Sequence, residues 1–105
     1  EFRLKILAED FRAAGTAVLD SLAEYAKERP GWSIAPDNCE GVRVNLDKAH
    51  GDGWFLLRLS LHDPILPLNI ESDREHGART IARELAPFLA QQTEIDASSA
   101  LEFTL

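Results

Sequence analysis

A guanidinium, a hydroxyl and an imidazole recur at alternate positions, Arg58, Ser60 and His62, and Asp63-Pro64 follows at once. Arg58 and Ser60 lie two apart, so on a strand their side chains leave the same face. His62 falls where the chain must reverse. Several hydrogen-bond donors therefore gather at the end of a sheet, an arrangement that suits a phosphate or another oxyanion. The planar fork of Arg58 matches two phosphate oxygens at once, which a lysine could not reproduce. A carboxylate beside an anion is repulsive if it points inward. Asp63 is therefore expected to bond backbone N–H groups of the loop and hold the other donors in place.

Two apolar strand-like runs must position this turn. Residues 54–59 are apolar on both faces, as in a central strand, and residues 65–71 form a second strand. Pro67 predicts that the second one lies on an edge or carries a bulge. Val42-Arg43-Val44-Asn45-Leu46 alternates strictly, with Val42, Val44 and Leu46 facing a core. A short apolar piece spans Trp32 to Ala35, then the turn-rich segment Pro36-Asp37-Asn38-Cys39-Glu40-Gly41 follows. Asp47 to Gly53 reads as a polar hairpin loop. From Asp10 to Glu28, Phe11, Ala14, Val18, Leu19, Leu22, Tyr25 and Ala26 form one apolar stripe at helical spacing, ended by Pro30-Gly31. A second stripe, Ala78 to Leu89, is expected to start at an Asp73 cap and to kink or break near Ala86, before Pro87. Phe2, Leu4, Ile6 and Leu7 fit either a short extended piece or a helix start.

The predicted fold is α+β, a four-stranded mainly antiparallel sheet with helices packed on one face. Residues 1–9 are read as a linker or as extraneous to the domain, residues 10–92 as a single phosphate-binding domain, and residues 93–105 as a flexible tail. One hundred and five residues suit one core. No apolar run approaches the roughly 20 residues that span a bilayer. The net charge of −7 argues against nucleic acid or an acidic membrane as partner. An anion site on such a chain must be local. A single cysteine, Cys39, leaves no disulfide framework and fits a cytoplasmic location.

The segments Glu40-Gly41-Val42-Arg43-Val44, Gly53-Trp54-Phe55-Leu56-Leu57-Arg58 and Leu59-Ser60-Leu61-His62-Asp63-Pro64 occur in an order that resembles the C-terminal domain of the α-D-phosphohexomutases. That domain reads D-G-[VI]-[RK]-[VI], a tryptophan-containing strand, R-x-S-[GN]-T-E-P, an apolar strand and a final helix. The resemblance covers residues 32–91. It implies that the loop binds the phosphate of a hexose phosphate, with Arg58 as the bidentate contact and Ser60 as a hydroxyl donor. The family's small or amide residue falls on Leu61, which offers only its backbone N–H. The threonine falls on His62, whose ring could donate instead, and the glutamate falls on Asp63. The resemblance also implies a larger enzyme interconverting hexose 1-phosphate and hexose 6-phosphate, with N-terminal domains carrying a phosphorylated serine and a Mg2+ site. No D-x-D-x-D run or bracketed serine supplies either here, so the chain is read as binding no cofactor itself. The alternative is a non-catalytic interaction or packing domain that kept the fold and lost phosphate binding.

The remaining candidates have plainer readings. Arg58 could be a strand-end arginine paired with Asp63 or Glu71, and His62 a loop side chain in water. His50 and His76 read as surface residues, and Trp32 and Trp54 as core or inter-domain packing. Cys39 has no partner base near it.

Overall fold

The computed structural model describes residues 1–36 and 41–105. Asp37, Asn38, Cys39 and Glu40, within the turn expected before the first alternating strand, lie outside the described residues. The elements run β1 (Phe2–Ile6), α1 (Phe11–Lys27), β2 (Trp32–Ile34), β3 (Gly41–Leu46), β4 (Gly53–Arg58), β5 (Ile65–Ser72), α2 (Gly77–Ala90), β6 (Ile95–Asp96) and α3 (Ser98–Phe103), with a 3-10 turn at Lys48–His50.

The class is α+β, but the sheet has six strands rather than four, in the order β2-β3-β4-β5-β1-β6 with every pairing antiparallel. The two additional strands come from the segments read as linker and tail. β1 is inserted between β5 and β6, with Leu4 opposite Leu66 and fully buried. Its Phe2, Leu4 and Ile6 face the helices while Arg3 and Lys5 are exposed, the period of two that a strand requires. Phe2–Ile6, within the segment read as linker, is thus part of the sheet.

Residues 93–105 are equally integrated. Ile95, Ala97 and Ala100 are buried, and the Phe103 ring lies 5.3 Å from Phe2. Asp96 Oδ1 accepts from the Ser98 N–H at 3.0 Å and so leads into α3. That bond, with the Ser98 hydroxyl and Lys5 adding to it, holds the Asp96 carboxyl below the usual aspartate range.

Alternation along the strands sends one set of side chains to the core. Leu4, Val44, Leu46, Phe55, Leu57, Leu66 and Leu68 are buried beneath Val18 and Leu22 of α1 and Ile81, Leu85, Phe88 and Leu89 of α2. Trp32 is wedged edge-on between Tyr25 and Phe55, at centroid distances of 5.7 and 5.3 Å. Each such large apolar side chain contributes about 1.5–3 kcal/mol on burial. The opposite face of the sheet carries Arg43, Trp54, Leu56 and Arg58, all half-buried. There the Arg43 guanidinium lies over the Trp54 ring at 4.3 Å, a cross-strand diagonal pair.

Helix α1 starts and stops as expected, with Asp10 as its cap accepting from the Ala13 N–H. Three details differ from expectation. β5 is not an edge strand. It is paired on both sides, and Pro67 is tolerated because pairing to β4 ends at Leu57↔Leu68, leaving only Arg3 of β1 opposite the proline. α2 begins at Gly77, not after Asp73. Ser72 Oγ accepts from the Arg74 N–H, and His76 occupies the cap position in the left-handed region at φ 63° without a side-chain cap bond. Finally, α2 is continuous through Pro87. Phe88 and Leu89 beyond it are buried, and their packing offsets the backbone bond the proline cannot make.

Candidate functional site

Arg58 ends β4, opposite Gly41 of β3. A Cβ on Gly41 would stand 2.7 Å from the Arg58 Cα and 2.9 Å from its Cβ. Only glycine lets β3 approach the base of Arg58 this closely. None of the described carboxylates, Asp63 and Glu71 included, lies within ion-pair distance of the guanidinium.

The next six residues reverse the chain into β5. The Ser60 N–H donates to the Ile65 carbonyl at 3.1 Å, and the Ile65 N–H donates to the Asp63 carbonyl at 2.7 Å. The Asp63 N–H donates to Ser60 Oγ at 3.3 Å. Ser60 thus serves as acceptor inside the turn, which leaves its own hydroxyl proton to donate outward. The Pro64 carbonyl accepts from the Ile6 N–H at 2.7 Å, tying the loop to β1.

The structure brings Arg58, Ser60, Leu61, His62 and Asp63 to one end of the hairpin. β4 ends at Arg58, however, so strand alternation does not by itself place Ser60 on the same side. Asp63 acts through its backbone. Among the described residues its carboxylate makes no hydrogen bond to the loop, which corrects the role expected for it. The Asp63 and His62 side chains are exposed, and Leu61 is 75% exposed.

Arg12, in the first turn of α1, is the neighbour that sequence reading missed. Its Nη2 donates to the Leu61 carbonyl at 3.1 Å. Nothing in the local pattern links residues 49 positions apart. The one available signal was that Arg12 lies off the apolar stripe and had no assigned partner.

With this geometry established, the comparisons with known proteins bear on it. The chain is similar to a phosphoglucosamine mutase. Over 58 residues it is 34% identical to the probable phosphoglucosamine mutase of Methanopyrus kandleri, a phosphohexomutase. The match spans 55% of this chain and 12% of that protein. No family model and no solved structure matches the chain.

Elsewhere the structure assigns different roles. A cleft of about 410 Å3 opens at the far end of the β4–β5 pair, lined by Gly53, Trp54, Glu71, Ser72 and Asp73. Two carboxylates and no cation line it, the wrong chemistry for an anion. His50 is not a surface residue. Its side chain is 25% exposed, and Nδ1 lies 3.1 Å from Glu84 Oε1, which also accepts from Trp32 Nε1 at 3.1 Å. His76 is exposed, as expected. Among the described residues no group of three or more metal-ligating side chains converges. Among the same residues no helix is long and apolar enough to cross a membrane.

Proposed function

We propose that this chain is the substrate-phosphate-binding domain of a phosphohexomutase that interconverts hexose 1-phosphate and hexose 6-phosphate. The observation that carries this reading is the turn around Ser60. Its hydroxyl oxygen accepts from the Asp63 N–H, which leaves its proton free to donate to a ligand, two residues beyond the strand that ends at Arg58. Arg58 supplies the bidentate contact, Ser60 the hydroxyl, and Leu61 and His62 backbone N–H groups. The similarity to a phosphoglucosamine mutase supports the same reading from outside the structure. The phosphoryl transfer itself, with its metal ion and phosphorylated serine, belongs to other domains of such an enzyme, which are this domain's partners.

A few charge-assisted hydrogen bonds contribute about 1.5–3 kcal/mol each, against an association cost of about 4–15 kcal/mol. The domain alone therefore binds phosphate at millimolar affinity or weaker. In an NMR titration of the chain with inorganic phosphate or glucose 6-phosphate, amide shifts are expected to be confined to residues 59–63. Arg58→Ala should weaken binding at least about tenfold, the equivalent of one charge-assisted hydrogen bond. Absence of shifts at tens of millimolar ligand would favour the non-catalytic packing domain instead.

A further inference from the structure

We infer that Arg12 is a positioning residue of this loop, setting the orientation of the Leu61–His62 peptide so that the His62 N–H is available to the anion; the inference rests on the phosphate-binding reading above. Two contacts from one face of α1 reach the loop. Arg12 Nη2 holds the Leu61 carbonyl. Three residues on, Gly15 is buried against Leu59, where an added Cβ would come within 2.6 Å of Leu59 Cδ1. Residues three apart share a helix face, so Arg12 and Gly15 act from the same side. Behind them Val18, Leu22 and Ala26 fix that helix in the core.

The consequence follows from peptide geometry. In a trans peptide the C=O and the following N–H point in opposite directions. With the Leu61 carbonyl drawn toward α1 by a guanidinium, the His62 N–H turns away from α1. The same bond removes a repulsive oxygen from the anion's side. Without Arg12 the exposed tip at Leu61 retains the Ser60–Asp63 turn, but nothing described holds this one peptide plane.

The test compares Arg12→Ala, Arg12→Lys and the unaltered 105-residue chain in titrations with inorganic phosphate, followed through the His62 amide. Arg12→Ala is expected to weaken phosphate binding about three- to tenfold, the span of one ordinary hydrogen bond. The His62 amide should shift in the free protein and respond less to phosphate. Arg12→Lys, which can still donate to the carbonyl, should recover affinity to within about twofold of the original. Circular dichroism should be unchanged in both variants, because Arg12 is exposed. An unchanged affinity in Arg12→Ala, or a weakened one with the free His62 amide unmoved, overturns the inference and leaves the phosphate-binding reading standing. No binding by the unaltered chain overturns both.

Discussion

A single oxygen, Glu84 Oε1, connects three elements. It accepts from the indole N–H of Trp32 in β2 and faces His50 Nδ1 in the 3-10 turn, while Glu84 itself belongs to α2. Trp32 is only 8% exposed, so its N–H has little access to water once that acceptor is gone. Glu84→Ala is expected to cost about 1–3 kcal/mol of stability, the range for orphaning a buried donor, read as a lower midpoint in urea unfolding. Glu84→Gln keeps an acceptor for the indole and should cost less. Equal midpoints for Glu84→Ala and the unaltered chain would mean that Trp32 is satisfied in another way. Sequence reading placed His50 on the surface because its partner lies 34 positions away. Residue types and local spacing singled out Arg58 and Ser60 as candidates; they could not single out Arg12 or Glu84, whose contacts exist only once α1 and α2 dock on the sheet.

At the scale of elements, the long helix α1 and the strands β3, β4 and β5 were legible because their apolar periods are continuous. β1 and β6 were not. β1 has five residues, β6 has two, and each finds its partner far along the chain, so neither carries a local hairpin signal. β1 was further obscured because Leu4, Ile6 and Leu7 also fit helical spacing. Their structural weight is nevertheless large. Ending the chain at Gln92 removes β6 and α3, strips the cover from Phe2 and deletes the carbonyls of Phe103 and Thr104 that accept from Arg79 and Arg83. Burial of Ile95 with Ala97 and Ala100 alone implies a loss of at least about 3 kcal/mol, a large share of a small domain's net stability. The shortened chain should unfold at a clearly lower urea concentration than the full one. A matching midpoint would return residues 93–105 to the status of a tail.

Over the whole molecule, charge and site pull in opposite directions. The chain carries −7, yet Arg3, Lys5, Arg43 and Arg58 all leave the sheet on the face opposite the helices. A phosphate approaching Arg58 meets these cations and the exposed Asp63 of the same loop, while the excess of carboxylates is spread over the rest of the molecule. Salt separates the two influences. At about 10 mM ionic strength fields persist for about 30 Å, comparable with the molecule's longest extent of 39 Å, so the distant carboxylates repel the anion. At about 150 mM the range falls to about 8 Å, which removes that repulsion while the contacts within hydrogen-bonding distance are screened much less. Affinity for inorganic phosphate is therefore expected to rise as sodium chloride increases across this interval. A broad basic surface would behave in the opposite way, releasing counterions on binding and losing affinity with every increment of salt. A steep fall in affinity would thus reject a local cradle built on Arg58 and Ser60 in favour of diffuse attraction to the open sheet face.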